Sequence, residues 1–529
     1  MRLLDARPRT LLVLYCLLCW LPGFITLPPS DRDESRFAQA TKQMLETGDF
    51  VRIREGEEAR NKKPVGIYWL QAPFAALLGR ERIWAYRVPS LLGATGAVLL
   101  THEAGLRLGS RRAALLAAAM LGASVLLAVE ARTAKTDAVL LCATTAAMLV
   151  LARAYLDPGG VGAGAAAGFW LAVGAGVLVK GPITPMVAGL ATGALVLRDR
   201  WAGRGTRRGV GWLRALRPGW GVPLALLVVL PWFVAIGLAT RGAFFADAVG
   251  GDLGAKLAGG SESHWGPPGL HALLVPLLLL PGSALVLPGI VAGWRARAQP
   301  AARVLLAWLV PAWLVFELVP TKLPHYPLPL YPALCLLGAG WAVDGGAAPG
   351  WVARLGRGLA VLAAVLLGAA ALALPVLLRS SPWLGVPAGI AAAGVAWLLW
   401  RRGAAPALLA MPVLYAAVFG LELPRLAPLW LSPRAVAMAA GPGPLGAVGD
   451  AEPSLRFLGG TDTRFLPGGV AGADALAAGE VGRVLVGDRD LEAFRAEAAR
   501  LGLDAREIGV IRGYNYSRGR WVTLTGFAR

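Results

Sequence analysis

The chain has 529 residues, of which 56% are hydrophobic, and its formal net charge is +20. Its mean hydropathy of +0.58 is too high for a water-soluble enzyme. Apolar runs of roughly 17 or more residues recur along the chain, and such runs have the length of membrane-spanning helices. The sequence therefore predicts a polytopic α-helical membrane protein.

The positive charge does not indicate nucleic-acid binding. The arginines fall mainly in short loops between apolar runs, which is the distribution that orients a membrane protein with its positive loops inside. The four cysteines all lie in apolar runs, with no spacing for zinc or for a disulfide framework, so we interpret them as core residues.

In chain order, the sequence predicts about 13 membrane spans. The first, 11–27, lacks a small-residue cleavage site and is expected to be a retained helix rather than a signal peptide. The apolar stretch Ile67–Gly79 is too short to span and predicts a helix at the membrane interface. The other spans are expected at residues 88–106, 113–130, 138–156, 164–179, 183–197, 221–239, 271–293, 304–319, 326–343, 359–378, 383–400 and 405–422.

Loop charge predicts the orientation. With a cytoplasmic N-terminus, most arginines of the loops lie inside, whereas the reverse arrangement would place the seven arginines of residues 198–217 in one outer loop. The outer loops are then expected at 28–87, 131–137, 180–182, 240–270, 320–325 and 379–382, and the tail after Leu423 is also outside.

The tail changes character. An apolar run at Arg483–Gly487, a helical stretch at Asp490–Leu501 and an alternating run at Arg520–Phe527 predict a small β-α-β unit. We therefore expect a membrane domain over residues 1–425, with its first outer loop at 28–87, and a soluble α/β domain over residues 426–529 on the outer face.

The first outer loop is the densest mixture of carboxylates and cations in the apolar part of the chain. Asp33 and Glu34 follow the first span closely, so their carboxylates are expected at the membrane surface. A carboxylate there can act as a general base, or bind a metal or a substrate amine. A solvated loop without chemistry is the alternative reading of the same pair.

Lysine marks the outer loops. On the predicted topology all seven lysines face outward, in a chain that otherwise uses arginine. Either the outer loops simply tolerate lysine, or the lysines surround one site as compact charges for phosphate oxygens and carboxylates. They are Lys42, Lys62, Lys63, Lys135, Lys180, Lys256 and Lys322.

Three later outer turns carry further polar side chains. Arg132, Lys135 and Asp137 precede the fourth span, and Lys180 sits between two spans with almost no loop. Charges at helix ends commonly reach to water, which is the alternative to a functional role. Lys322, His325 and Tyr326 add a cation, an imidazole and a phenol at another outer turn.

Together these stretches predict an outer cavity with cations and carboxylates above apolar helices, which suits a lipid-linked phosphate. We assign donor-phosphate contacts to Arg132 and Lys322, and other substrate contacts to Arg36, Lys62, His264 and His325. His264, His325 and a carboxylate offer a divalent metal site as an alternative, although a lone histidine is more often a structural donor. No cofactor is expected to be required.

Four motifs resemble those of known enzymes. Residues 33–38 (D-E-S-R-F-A), with Met44 and the G-D-F of residues 48–50, are similar to the first-loop signature D-E-x-R-[YF]-A … M … G-D-[WF] of polytopic glycosyltransferases that use lipid-linked sugars. Residues 63–69 (K-P-V-G-I-Y-W), 180–182 (K-G-P) and 322–329 (K-L-P-H-Y-P-L-P) resemble later motifs of the same GT-C enzymes, most closely the aminoarabinose transferases that modify lipid A.

The resemblance implies a catalytic Asp33 beside Glu34, a second functional carboxylate at Asp137, and donor-phosphate contacts from Lys63, Lys180 and Tyr326. It also implies a GT-C fold in a bacterial inner membrane, with the site and the C-terminal domain in the periplasm. The family commonly has an acidic residue where this chain has Lys62. That departure favours an acidic or neutral sugar over an amino sugar.

The sequence thus predicts an inverting transferase that moves a sugar from a polyprenyl phosphate to lipid A or a related envelope glycan, with no nucleic acid among its partners. A protein O-mannosyltransferase is the alternative within the class. A flippase or transporter for lipid-linked sugars is the alternative from another class, but transporters place ionisable residues near the membrane midplane, whereas these charges gather at one edge.

Overall fold

Long apolar helices build most of the chain, as a computed structural model describes for residues 7–201, 210–254 and 265–529. Eight helices in these ranges are long and apolar enough to cross a membrane. Each stretch predicted as a span contains a helix, and three shorter apolar helices, Pro8–Trp20, Gly66–Leu78 and Leu328–Asp344, accompany the eight. The chain is therefore a multi-pass helical membrane protein.

The membrane part contains seventeen α-helices of six residues or more in the described ranges. They are α1 Pro8–Trp20, α2 Asp33–Thr47, α3 Gly66–Leu78, α4 Ile83–Leu108, α5 Arg111–Ala123, α6 Val125–Glu130, α7 Asp137–Leu156, α8 Ala163–Lys180, α9 Ile183–Trp201, α10 Pro218–Ala239, α11 Leu270–Leu278, α12 Ser283–Arg295, α13 Pro300–Leu318, α14 Tyr331–Asp344, α15 Gly350–Leu377, α16 Val386–Arg401 and α17 Ala404–Tyr415, which continues as a π-helix over Ala416–Glu422.

Two predicted spans are each divided into two helices. The span predicted at 113–130 breaks at Ser124, whose hydroxyl donates to the Leu121 carbonyl at 2.7 Å and accepts from the Leu127 amide at 3.4 Å. The hydroxyl thus ends α5 and begins α6, as serine does at helix termini. The span predicted at 271–293 likewise becomes α11 and α12.

Small residues allow the spans to pack closely. A β-carbon at Gly289 in α12 would lie 2.5 Å from the Gly338 backbone in α14. Because apolar surface gives helices little reason to associate within lipid, close backbone contact between small residues is a main source of their packing energy.

The predicted first outer loop contains a helix. Helix α2 runs from Asp33 to Thr47 and ends at Gly48, which has a left-handed φ of 72°. Its first-turn carboxylates, Asp33 and Glu34, favour the positive end of the helix dipole. Ten residues of the helix are buried, which argues against the alternative reading of a solvated loop.

A buried ion pair joins α2 to the membrane helices. Arg87 in α4 donates to both oxygens of Glu34, at 2.8 and 3.1 Å. The same guanidinium donates to the Phe24 carbonyl at 2.7 Å and the Leu27 carbonyl at 2.9 Å. Both side chains of the pair are at most 2% exposed, so the pair fixes the chain between α1 and α2 with its charges fully compensated.

The C-terminal part is a small mixed sheet with helices, as the tail predicted. A short hairpin, β1 Arg54–Glu55 with β2 Glu58–Ala59, lies earlier, in the first outer region. The elements of the C-terminal part are α18 Leu431–Met438, β3 Leu445–Val448, α19 Pro453–Gly459, β4 Arg464–Leu466, α20 Gly469–Ala477, β5 Arg483–Gly487, α21 Leu491–Arg500, β6 Arg506–Asn515 and β7 Arg520–Ala528. The strands of its sheet are ordered β4-β3-β5-β7-β6; β3 pairs in parallel with β4 and β5, and β7 is antiparallel to β5 and β6.

Replacing Arg87 by Met should strongly destabilise the protein, because Glu34 would remain buried without its counter-charge, at a cost of roughly 3–5 kcal/mol. The matched control is Arg9→Met, since Arg9 makes a 2.9 Å pair with Glu103 while 68% exposed. An exposed pair contributes less than about 1 kcal/mol. Thermal unfolding in one detergent compares the two variants, and equal shifts in Tm would contradict the assignment.

Candidate active site

The catalytic candidate Asp33 is held beside the 131–137 turn by its neighbour Glu34. Glu34 Oε1 accepts a hydrogen bond from the Ala134 amide at 3.0 Å, and Oε2 accepts one from the Ser30 amide at 2.8 Å. Asp33 precedes Glu34 and Lys135 follows Ala134, so this single bond brings the Asp33 carboxylate and the Lys135 ammonium into one site.

Glu34 therefore has a positioning role in the structure, which differs from the catalytic role predicted for it. Its two oxygens accept from the side chains of Arg87 and Ser30 and from two backbone amides. Burial raises the pKa of Glu34, but Arg87 and these amides lower it by more, so the carboxylate stays ionised and fully engaged.

Asp33 itself remains available for chemistry at the start of α2. Burial raises the pKa of its carboxyl, but the positive charges of Lys135 and Arg60 lower it by more, and the net pKa lies below the ordinary value. Asp33 is therefore an anion at neutral pH, although it is half-buried. An ionised carboxylate can accept a proton or hold a cationic or hydroxyl group of a substrate.

Asp137 and Lys180 form the second part of the site. The Lys180 ammonium donates to Asp137 Oδ1 at 2.5 Å, with side-chain exposures of 12% and 3%. Lys180 Nζ also lies 5.6 Å from the centre of the Tyr326 ring. Three of the residues that the sequence assigned to the site thus meet, from α7, α8 and the turn before α14.

Glu130, Lys135 and His325 adjoin that pair. Lys135 Nζ donates to Glu130 Oε1 at 3.0 Å, and His325 places Nδ1 3.9 Å from Glu130 and Nε2 3.9 Å from Asp137. Burial lowers the pKa of His325 well below its ordinary value, so its imidazole is neutral at physiological pH. His325 is a neutral spacer between two carboxylates, each of which has a lysine of its own.

Three side chains of this cluster are close enough together to ligate a metal ion. Ligand atoms of Glu130, Asp137 and His325 lie within 4.8 Å of one another. Lys135 donates to one oxygen of Glu130 and Lys180 to one oxygen of Asp137, whereas Glu130 Oε2 has no hydrogen-bond partner among the described residues. The two ammonium groups oppose the binding of a further cation, because like charges repel.

The K-P-V-G motif lies next to the same site. A β-carbon at Gly66 would lie 2.8 Å from the backbone of Leu178, so this turn rests directly on the end of α8, which Lys180 terminates. Lys63, three residues before Gly66, is half-buried. The K-P-V-G turn therefore packs against the end of the helix that carries Lys180.

Cations dominate the first outer region beside Asp33. The Arg60 guanidinium lies 5.1 Å from the centre of the Phe37 ring, and the Glu55 carboxylate is 3.7 Å from Arg60 and 3.9 Å from Arg36. Lys62 is exposed in the same region. Glu55 is thus shared by two guanidiniums, which leaves this side of the site positive.

Two predicted phosphate contacts have other partners. The Lys322 ammonium donates to the carbonyls of Phe316, Glu317 and Val319 and caps the end of α13, so its three donors are used. Arg132 is 2% exposed, lies 3.8 Å from the centre of the Phe419 ring and donates to a carbonyl of α1. Lys322 thus has a structural role, whereas Nε and Nη1 of Arg132 have no hydrogen-bond partner among the described residues.

Two further predicted residues lie outside the described ranges. His264, assigned to the substrate, and Lys256, one of the seven outer lysines, both fall within residues 255–264.

Sequence reasoning missed Glu130, Arg60 and Arg87. Glu130 carried a signal, because a carboxylate at the end of an apolar run is rarely placed there without a function. Arg87 carried none, since its partner Glu34 is 53 residues away in the chain. Arg60 carried none, because it is one of several cations in a charged stretch and only its contacts distinguish it.

The C-terminal domain also reaches the site, which the sequence did not suggest. The Tyr516 hydroxyl accepts from the Asp31 amide at 2.6 Å, and the Ser454 hydroxyl bonds the Asp31 carboxyl. Burial raises the pKa of Asp31 to about 7; Ser454 opposes the rise, whereas the Glu452 and Asp450 carboxylates add to it. The Glu452 and Asp450 carboxylates of the C-terminal domain thus lie near Asp31, which is two residues before Asp33 in the chain.

Comparison with known proteins places the motifs in context. The family model described as dolichyl-phosphate-mannose-protein mannosyltransferase matches residues 62–234. The undecaprenyl phosphate-alpha-4-amino-4-deoxy-L-arabinose arabinosyl transferase of Pseudomonas paraeruginosa is 31% identical over 351 residues, which are 64% of this chain and 60% of that protein. The protein of that name from Yersinia pestis is 27% identical, over 65% of this chain and 61% of its own length.

The chain therefore aligns with about three fifths of the length of these relatives. Its fold matches the crystal structure of ArnT from Cupriavidus metallidurans bound to undecaprenyl phosphate, with a TM-score of 0.74 and 19% identity over 98% of this chain and 97% of that one. The archaeal oligosaccharyltransferase AglB from Archaeoglobus fulgidus matches with a TM-score of 0.51 and 12% identity, over 90% and 68% of the two chains.

These findings confirm the predicted fold class and the resemblance drawn from the motifs. The chain has the ArnT fold of membrane helices followed by a small C-terminal sheet domain, and its sequence is similar to that of lipid-linked-sugar transferases.

The raised pKa of Asp31 predicts a pH-dependent stability. Because the folded state holds a proton on Asp31 that the unfolded chain releases near pH 4, this group's contribution should fall as pH rises from about 4 to 7 and stay constant above. Asp31→Asn cannot titrate. The wild-type Tm minus the Asp31→Asn Tm should therefore be larger at pH 4.5 than at pH 8, and a constant difference would refute the assignment.

Proposed function

We propose that the chain is an inverting glycosyltransferase that moves a sugar from a polyprenyl-phosphate donor to an acceptor at the outer membrane face. The proposal rests on one observation: an ionised Asp33 lies in the same site as Lys180, which pairs with Asp137, and Lys135, which pairs with Glu130. That arrangement combines a base with a phosphate-binding group. The sequence likeness to transferases named for undecaprenyl-phosphate sugars supports the same donor class.

In the reaction an acceptor oxygen attacks the anomeric carbon from the face opposite the phosphate. The bond between the anomeric carbon and the phosphate oxygen breaks, and the electron pair leaves with the lipid phosphate. When the acceptor is a hydroxyl, Asp33 takes its proton. When the acceptor is a lipid A phosphate, it is already ionised, and Asp33 orients the sugar instead.

Lys180, Lys63 and Tyr326 stabilise the phosphate as it departs. Asp137 holds one donor of Lys180 at 2.5 Å, which fixes the ammonium and leaves two donors for phosphate oxygens. A preorganised donor of this kind contributes roughly 3–4 kcal/mol to the transition state. Asp137 is thus a positioning residue for Lys180 and need not exchange a proton.

The reaction as proposed needs no divalent metal, because lysines balance the carboxylates of the site. We further propose an inner-membrane location with the N-terminus in the cytoplasm and the site and the C-terminal domain in the periplasm. The arginine distribution supports this orientation. Lipid A or a related envelope glycan is then within reach as acceptor.

A protein acceptor is the second candidate. The family model that matches residues 62–234 is described by transfer of mannose to protein, and it covers the K-P motif, Asp137 and Lys180. The site accepts either acceptor chemically, because Asp33 serves a serine hydroxyl as well as a sugar hydroxyl.

Asp33→Asn and Lys63→Ala should abolish transfer while the protein still inserts and keeps its Tm. Within the described residues, Asp33 makes no hydrogen bond like those of Glu34. Replacing its carboxylate by the amide of Asn, which has the same shape, should therefore remove the charge without disturbing the fold. Transfer is measured with wild-type and variant protein in membranes by mass spectrometry of lipid A, with and without EDTA. Wild-type turnover in either variant would contradict the site, and loss with EDTA would contradict metal independence.

The cations around Asp33 lead us to propose that the transferred sugar is acidic or neutral. The relatives, in contrast, are named for an amino sugar, 4-amino-4-deoxy-L-arabinose. Lys62→Glu should shift donor preference towards an amino sugar, because the new carboxylate attracts an amine. Competition between two donors, one with 4-amino-4-deoxy-arabinose and one with a hexuronic acid, measures the shift. Arg54→Glu, on the nearby hairpin, is the control for a general change of charge.

A further inference from the structure

The turn that precedes Asp33 has a strained backbone. Arg32 has a φ of 66° and a ψ of −115°, in a region that residues other than glycine rarely adopt. Such a conformation is strained, and it persists only where the surroundings hold it. Because Arg32 immediately precedes helix α2, its conformation sets the direction in which the Asp33 carboxylate leaves the helix.

The C-terminal domain contacts this strained residue and the residue before it. The Asp31 amide donates to the Tyr516 hydroxyl at 2.6 Å, and the Arg32 guanidinium donates to the Ser517 carbonyl at 3.0 Å. Ser454 bonds the Asp31 carboxyl and also lies 2.6 Å from the Ser432 hydroxyl. Three separate groups of one domain thus hold two consecutive residues.

The membrane domain holds the other end of the turn. The Ser35 amide and hydroxyl both donate to the Ser30 carbonyl, at 3.3 and 2.5 Å, and Glu34 is bound to Arg87. The turn is therefore held on one side by the Glu34–Arg87 pair and on the other by the tip of the β6–β7 hairpin. The C-terminal domain restrains Asp31 and Arg32, whereas the membrane domain restrains Glu34 on the other side of Asp33.

The same domain continues along α2. The Gln39 amide donates to the Thr461 hydroxyl at 2.7 Å, and the Lys42 ammonium donates to the Phe457 carbonyl at 3.3 Å. These contacts fix the helix axis, while the hairpin tip fixes its first turn.

We propose that the C-terminal domain is a positioning element for the reaction, and that Tyr516 is the positioning residue that holds the strained Asp31–Arg32 turn and so aims the Asp33 carboxylate at the acceptor. The proposal rests on the proposed transferase function. Tyr516 touches no reacting atom. Its hydroxyl acts through the Asp31 amide, which would otherwise lack this acceptor and allow the turn to relax.

The test compares Tyr516→Phe with Tyr514→Phe in the full-length protein. Tyr514 lies on the same hairpin, packs 5.7 Å from the Trp521 ring and makes no hydrogen bond through its hydroxyl within the described residues, so it controls for loss of a tyrosine hydroxyl. Tyr516→Phe should lower kcat about ten- to hundredfold, with the KM for the polyprenyl-phosphate donor and the Tm unchanged, because a small misdirection of a catalytic group is costly. Tyr514→Phe should match wild type.

A second readout does not require turnover. Hydrogen–deuterium exchange of the peptide covering residues 30–37 should be faster in Tyr516→Phe than in wild type and Tyr514→Phe. Ser454→Ala should have the same two effects. Unchanged kcat and exchange in Tyr516→Phe, or equal losses in both tyrosine variants, would overturn the proposal. Faster exchange in a protein whose wild type transfers no sugar would instead overturn the proposed function.

Discussion

One buried carboxylate organises the outer face of this protein. Glu34 accepts from Arg87 in the membrane helices, from Ser30 at the end of the first connection and from the Ala134 amide in a distant turn. A fully buried anion without these donors would be costly, so the three segments can only be arranged around it. The positions of Asp33 and Lys135 follow, because Asp33 directly precedes Glu34 and Lys135 directly follows Ala134, which Glu34 holds.

The site built on this anchor balances its charges with lysine. Lys135 pairs with Glu130 and Lys180 pairs with Asp137, with the neutral His325 between the two carboxylates. Lysine is a compact charge with three donors, so it can satisfy a carboxylate and still bind phosphate. In the proposed reaction, the ammonium groups that compensate the buried carboxylates would also contact the leaving phosphate.

The two domains share control of Asp33. The membrane domain fixes the base of helix α2 through Glu34, and the C-terminal domain holds Asp31 and Arg32 through the hairpin tip. A strained backbone persists only where its surroundings restrain it, and the C-terminal domain supplies part of that restraint by packing on α2.

The sequence alone determined the helical membrane class, because apolar runs and loop charge are local signals. Short motifs also predicted site roles for Asp33, Asp137, Lys63, Lys180 and Tyr326, and these roles remain predictions. Only the tertiary structure decided that α2 is a helix, that Glu34 is an anchor and that Lys322 caps a helix. Glu34 depends on Arg87 and on Ala134, which are 53 and 100 residues away in the chain. Lys322 bonds carbonyls only three to six residues away, but the turn that brings them together leaves no periodic pattern in the chain, and neither does the burial of α2.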